Sequence, residues 1–335
     1  MSSRRIVLFC LFLLAAPAWA QESPATEAAP EAPLQGEKIE VVGQRPGPGL
    51  WKVSKGEHVL WIFGTYSPLP KKMAWRTQEI DAILAQSQEY IDAPSATTDV
   101  GFFRALTLLP LAIGIEDNPD GATLKDVLPP EVYARWLPLK EKYLGKDDSI
   151  ERKRPIFVAD RLYWAALRKA GLELDTDVRK SIEASIKKNK LKITKPSIVL
   201  PLDNPRAMIK DFKKSSLDDV ACFSTTLARL ETDIDAMRER ANAWAKGDIG
   251  EITRLSFPDP TQACKTAMTS SPALKNSPAF QTMEARMAEA WVAAVEKALD
   301  TNRSTFAMMR MHNLLDAKGV LRTLEAKGYQ VTQPE

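Results

Sequence analysis

LWKVSKGEHVLWIFGTYSPLP, residues 50–70, is the stretch whose reading decides the fold. It contains two short strands, Leu50–Val53 and His58–Phe63, joined by a turn over Ser54-Lys55-Gly56. The second strand is β-branched and aromatic and breaks at Gly64, and Pro68 and Pro70 bar a helix just beyond it. Functional side chains are often mounted where a rigid strand meets a loop, which makes Gly64-Thr65-Tyr66-Ser67 the first place to look for a site.

Upstream, residues 1–20 have the three parts of a secretory signal. Arg4 and Arg5 form the basic start, Ile6 to Ala16 the apolar run, and Ala18-Trp19-Ala20 a small-residue cleavage site. The apolar run is too short to span a bilayer, so the expectation is Sec-type export with cleavage after Ala20 and a periplasmic or secreted destination. Removing 20 of the 335 residues takes Arg4 and Arg5 and no acid, and the net charge falls from +3 to +1. A nearly neutral chain gives no general reason to expect nucleic acid or an anionic membrane as partner. Residues 21–49 are rich in Ala, Glu and Pro, lack hydrophobic periodicity and close on Pro46-Gly47-Pro48-Gly49, as a linker does. Within them Lys38-Ile39-Glu40-Val41-Val42 is an isolated strand candidate or a disordered segment.

Downstream, Ala74–Ser87 puts Trp75, Ile80, Ile83 and Leu84 on one helical face, and Glu89-Tyr90-Ile91-Asp92 reads as a second core strand. Phe102–Ile115 is almost continuously apolar; Arg104, Pro110, Gly114 and its modest length argue against a membrane span and for a buried helix. Helices are expected from Pro129-Pro130 to Tyr143 and over Ile156–Ala170. From Arg179 to Lys195 seven basic residues face one acid, Glu183, without interleaved aromatics, which points to a solvated helix face rather than a nucleic-acid footprint. Ser216–Gly247 reads as one long helix, and Phe280–Leu299 as another. The chain closes with a strand over Thr305–Met309, then Met311-His312-Asn313, a helix over Ala317–Lys327 and a last strand at Gly328–Val331.

The opening hairpin ending in Gly-Thr and a Leu-Pro tail, together with the closing helix before Gly-Tyr-Gln-Val, resembles the TraB/GumN family. That family includes the TIKI proteins and is described as metal-dependent peptidase-like. The resemblance implies a Gly-x-x-His motif at each strand end and a glutamate on the strand between. Here the first motif reads Gly64-Thr65-Tyr66-Ser67, with Ser67 at the histidine position. The second reads Met309-Arg310-Met311-His312, which keeps the histidine and loses the glycine, and Asp92 falls where the glutamate would stand. Arg286 and Trp291 match family positions, Leu174-Asp175 is a remnant of a Gly-Val-Asp segment, and Trp244 to Asp248 matches a Trp-helix-Gly-Asp feature. Gly64, Thr65, Arg286 and Arg310 are expected to shape the site rather than act in it.

A divalent ion needs imidazoles and a carboxylate converging from separate strand ends. His312 and Asp92 supply one of each, Ser67 is a poor replacement ligand, and His58 lies near the start of its strand. The expectation is an ancestral metal lost and no cofactor. Ser67, Asp92 and His312 are also the residue types of a nucleophile triad. No Gly-x-Ser-x-Gly elbow surrounds Ser67, however, and Pro68 removes a backbone N–H often used for an oxyanion. Three functions follow. The first is an exported, catalytically degenerate protein that binds a partner, peptide or ligand in the envelope. The second is a working hydrolase using His312 and Asp92 with a metal or Ser67. The third is an envelope assembly protein docking through Phe102–Ile115. Cys222 and Cys264, the cysteines left once Cys10 departs with the signal, are expected to pair in an oxidising compartment. The fold expected is α/β, residues 50–333, with a small central mixed sheet formed by N- and C-terminal strands and a large helical middle segment.

Overall fold

The computed structural model describes residues 47–334 except 175–176, 203 and 256–259. By contacts the chain divides into Met1–Gly43 and Gln44–Glu335, and the described residues fall in the second unit. The export signal, the linker, the Lys38–Val42 strand candidate and Asp175 lie outside the described residues.

The hairpin forms as β1 (Leu50–Lys55) and β2 (His58–Thr65), paired antiparallel from Leu50–Phe63 to Lys55–His58. Its turn is tighter than expected, Gly56-Glu57 alone, with Gly56 at φ +58° where glycine carries no Cβ penalty. The second strand does not break at Gly64. Gly64 and Thr65 pair in parallel with Met309 and Arg310, so the ladder carries the strand through them.

The remaining strands are β3 (Leu69–Pro70), β4 (Glu89–Ile91), β5 (Ser95–Thr98), β6 (Leu172–Glu173), β7 (Lys192–Thr194), β8 (Ser197–Leu200), β9 (Ser304–Arg310) and β10 (Gln330–Thr332). The main sheet has the order β10-β1-β2-β9-β4-β7, with β2, β9, β4 and β7 parallel and β10 and β1 antiparallel to their neighbours. This is the α/β mixed sheet drawn from both ends of the domain, joined at one margin by β7 from the middle. β9 is buried along Thr305–Met309, as a strand covered on both faces must be.

Two principal cores follow. One packs the sheet against helices Gln78–Gln86, Asp177–Lys188, Ile234–Ala245 and Met283–Thr301, around Phe63, Trp244, Trp291 and Phe306. The other is helical, built by Pro130–Tyr143, Pro155–Lys169, Val220–Thr232 and Pro260–Thr269 around Trp136, Leu162 and Phe223. The Cys222–Cys264 disulfide ties the last two of these helices together.

Two further sequence expectations change. The single helix over Ser216–Gly247 is two helices, Val220–Thr232 and Ile234–Ala245, because the halves serve different cores and Asp233 between them turns its carboxylate inward to Arg240. The apolar helix Phe102–Ala112 forms but is not buried: Phe103 is 81% exposed and Ile113, just after it, 74%, with Leu106 and Leu109 also exposed. It rests on helix Pro205–Lys214, whose Lys213 ammonium donates to the Ile113 carbonyl at 2.6 Å. Arg154 holds the C-terminal end of that helix by donating to the carbonyls of Phe212, Lys213 and Ser215. Its positive charge also suits a helix C-terminus. Among the described residues no helix is long and apolar enough to cross a membrane.

Candidate functional site

The parallel register brings the sequence-predicted residues to one edge of the sheet. Thr65 at the end of β2 pairs with Arg310 at the end of β9, so Ser67 and His312 leave neighbouring strands at matching positions. β9 separates β2 from β4, so the strands that lead to Ser67 and Asp92 run two strand spacings apart, about 10 Å. Asp92 is also lower along the sheet, one residue past the Ile91–Ala307 pair.

Each residue is engaged locally. Ser67 is exposed, follows β2 with a cis bond to Pro68, and donates its hydroxyl to the Leu174 carbonyl at 3.1 Å. Asp92 is half-buried; one carboxylate oxygen accepts from the Tyr90 hydroxyl at 3.0 Å and the Ala93 N–H at 2.9 Å, with the Arg179 guanidinium at 3.6 Å. Burial first, and then the Asp92 charge, push the Tyr90 phenol well above its ordinary range, so it stays a donor. His312 is exposed in the first turn of the short helix Met311–Leu315. His58 lies at the other end of β2, paired with Lys55. Among the described residues no group of three or more His, Cys, Asp or Glu is placed to hold a metal ion.

Two methionines of the second motif pack into the core. Met309, at the glycine position of the second motif, and Met311 are both buried. Gly64 is required by close approach: a Cβ there would stand 2.6 Å from the Trp51 ring and 3.1 Å from the Met311 methyl. Thr65 donates its hydroxyl to the Met309 carbonyl at 3.2 Å. Arg310 is exposed at its strand end, and Arg286 reaches the Val199 carbonyl at 3.5 Å.

The structure adds residues that sequence reasoning missed. Arg240 is buried and holds Asp233 with both terminal nitrogens, donates from Nε to the Tyr66 hydroxyl at 2.9 Å and reaches the Leu255 carbonyl. Trp244 on the same helix donates to the Gly64 carbonyl at 2.7 Å. Burial disfavours the Arg240 charge, but the Asp233 and Tyr66 hydrogen bonds and charges outweigh it and raise its pKa. The loop after β2 is thus anchored from one side by Tyr66 and from the other by Ser67. A signal was present: Arg240 falls on the same helical face as Met237 and Trp244, an arginine where an apolar residue would be ordinary.

At the opposite end of β4, Glu89 accepts from Thr194, Asn302 and Lys192. Burial alone would raise its pKa, and these three donors hold it below the usual carboxylate value instead. Beside Asp92, an open pocket of about 550 Å³ lies between the sheet margin and helix Asp177–Lys188. Its floor is Tyr90, Ile186, Leu191 and Ile193, and Lys187, Lys190 and Lys195 stand around it.

The family model described as the TraB/PrgY/gumN family matches residues 49–333. No curated protein and no solved structure matches the chain.

Proposed function

The chain belongs to the TraB/PrgY/gumN family, and from that premise we propose that it is an exported, catalytically degenerate member that binds a partner, peptide or ligand in the cell envelope. One observation carries the reading. At the first-motif histidine position stands a hydroxyl already committed to a backbone carbonyl, Ser67 to Leu174. A neutral hydroxyl is a weak ligand beside imidazole, and this one is oriented by its bond to the Leu174 carbonyl. The buried Met311 supports the same reading, because its methyl lies beside the motif glycine Gly64. The basic start, apolar run and Ala-Trp-Ala of residues 4–20 support export, with Gln21 as first residue of the secreted form.

The test is a gain of function. Ser67→His with Met309→Gly restores the family's two motifs, and zinc or manganese titration by calorimetry should detect binding in this variant and none in the unmodified chain. Tight binding by the unmodified chain, together with metal-dependent peptide hydrolysis, would replace this reading with a working hydrolase.

A second reading has its own observation, the exposed row Phe103, Leu106, Leu109 and Ile113. Exposed apolar surface of this kind marks an interaction face. Helix Pro205–Lys214 beneath it exposes Arg206, Lys210 and Lys214, so the occupant it suits is an envelope protein with an apolar patch rimmed by acids. Leu109→Lys should then abolish crosslinking of the exported protein to that partner in intact envelopes, while the circular dichroism spectrum stays unchanged.

A further inference from the structure

We propose that the pocket beside Asp92 binds a singly charged organic anion with an apolar body, and that Lys190 is retained for it. This rests on the reading of the chain as a binding protein and names the ligand class.

Helix Asp177–Lys188 ends in a Schellman turn. The Leu191 N–H donates to the Ile186 carbonyl and the Lys190 N–H to the Lys187 carbonyl, both at 3.2 Å. The residue at the left-handed position of that turn is Lys190, at φ +55°. Elsewhere among the described residues the left-handed residues just after α-helices are glycines: Gly114, Gly145, Gly171, Gly247 and Gly328, at φ between +71° and +89°; the other left-handed side chain, Asp120, lies in a short 3-10 turn. Only glycine adopts this conformation without a Cβ clash. A side chain kept at a strained position is a pointer to function when the surroundings give it something to do.

The surroundings do so. Lys187, Lys190 and Lys195 line the pocket, and among the described residues none has a carboxylate partner. The fourth cation, Arg179, is already taken by Glu183 at 2.8 Å and by Asp92. The apolar floor comes from two sources. Tyr90 and Ile193 are register partners on β4 and β7, and Ile186 and Leu191 are the helix-end pair that the Schellman turn brings together. Ile193 is 52% exposed there, apolar surface with nothing on it. A volume of about 550 Å³ suits a ligand of drug size. Asp92 and Glu183 also line the pocket, and their charges disfavour a polyanion. One anionic head against the three lysines with an apolar body on the floor satisfies both surfaces. A free amphiphile and a membrane lipid share that chemistry.

The test uses the full exported chain and decanoate below its micellar concentration, followed by calorimetry at low salt. The expected result is saturable binding that weakens as salt rises, with no binding of decyltrimethylammonium. Lys190→Gly should weaken decanoate about fivefold, what one lysine contributes against an anionic surface, while the melting temperature holds or rises. Lys187→Glu with Lys195→Glu should abolish binding. Vesicles containing phosphatidylglycerol form the second arm. If they, and not decanoate, bind with the same Lys190 dependence, the proposal stands with lipid as the source. Equal binding of anionic and cationic probes, binding by neither probe nor vesicle, or an affinity indifferent to Lys190→Gly overturns it. Metal binding by the unmodified chain would refute the degenerate-enzyme reading and leave these outcomes readable.

Discussion

Arg240→Met tests whether the buried pair behind the site loop is held by charge. The side chains of Arg240 and Asp233 are 4% and 3% exposed, and the guanidinium holds both carboxylate oxygens. Methionine keeps most of the length and apolar contact of the arginine stem, so the change removes chiefly charge and hydrogen bonds. Breaking a buried pair costs about 3–5 kcal/mol, because an uncompensated charge stays inside. Arg229, at 3.4 Å from Asp233, pulls the value toward the lower end. The donors lost by the Tyr66 hydroxyl and the Leu255 carbonyl pull it upward by roughly 1 kcal/mol each. The expected loss is therefore about 4 kcal/mol. Removing the partner as well, as Asp233→Leu with Arg240→Met, should recover all but about 1–2 kcal/mol, since apolar replacement of a buried pair is often neutral. Urea unfolding reads both as shifts of the midpoint at constant slope. A single variant that loses less than about 1 kcal/mol, or a double variant no better than the single, would refute the reasoning.

Gly64→Ala forces a methyl against the Trp51 ring and the Met311 methyl and should cost about 1–3 kcal/mol by overpacking; an unchanged melting temperature would contradict this. Cys222→Ala with Cys264→Ala opens a loop spanning a sequence separation of 42 residues, so stability should fall by about 4 kcal/mol in the chain-entropy model, read by denaturant unfolding without reductant. Two cysteines alkylated in the native protein without reductant would deny the bond. Burial pushes the Asp219 carboxyl up to about 6, although the Ile156 N–H and the Arg154 charge oppose it. The unfolded chain ionises this group first, near pH 4, so its contribution is at full strength below that pH. It is lost as pH rises through about 6, for a total of about 3 kcal/mol. Asp219→Asn should flatten that part of the stability profile, and an unaltered profile would reject the assignment.

The hairpin, the buried strand over Thr305–Met309 and the helix over Pro130–Tyr143 were legible because each carries a local period and its own punctuation. The side-by-side pairing of β2 and β9, the strands that lead into the two motifs, is what the structure adds to that reading. The bend at Asp233 was not legible. Helical spacing runs straight through it, and only the tertiary partition of the two cores and the Arg240 pair show why the helix is interrupted. The exposure of Phe103 and its neighbours was equally hidden, since hydrophobicity signals burial without naming what covers it. The basic side chains of the run Arg179–Lys195 are exposed along the helix, its closing turn and β7. What it could not display was the left-handed Lys190, a property of backbone geometry rather than composition.

The central claim is the proposal that the sheet edge no longer holds a metal, and elemental analysis of the unmodified protein purified without chelators tests it most directly. The expected result is zinc, manganese and cobalt each far below one equivalent, unchanged in His312→Ala. Close to one equivalent of any of them in the unmodified protein, lost in His312→Ala, would contradict the account.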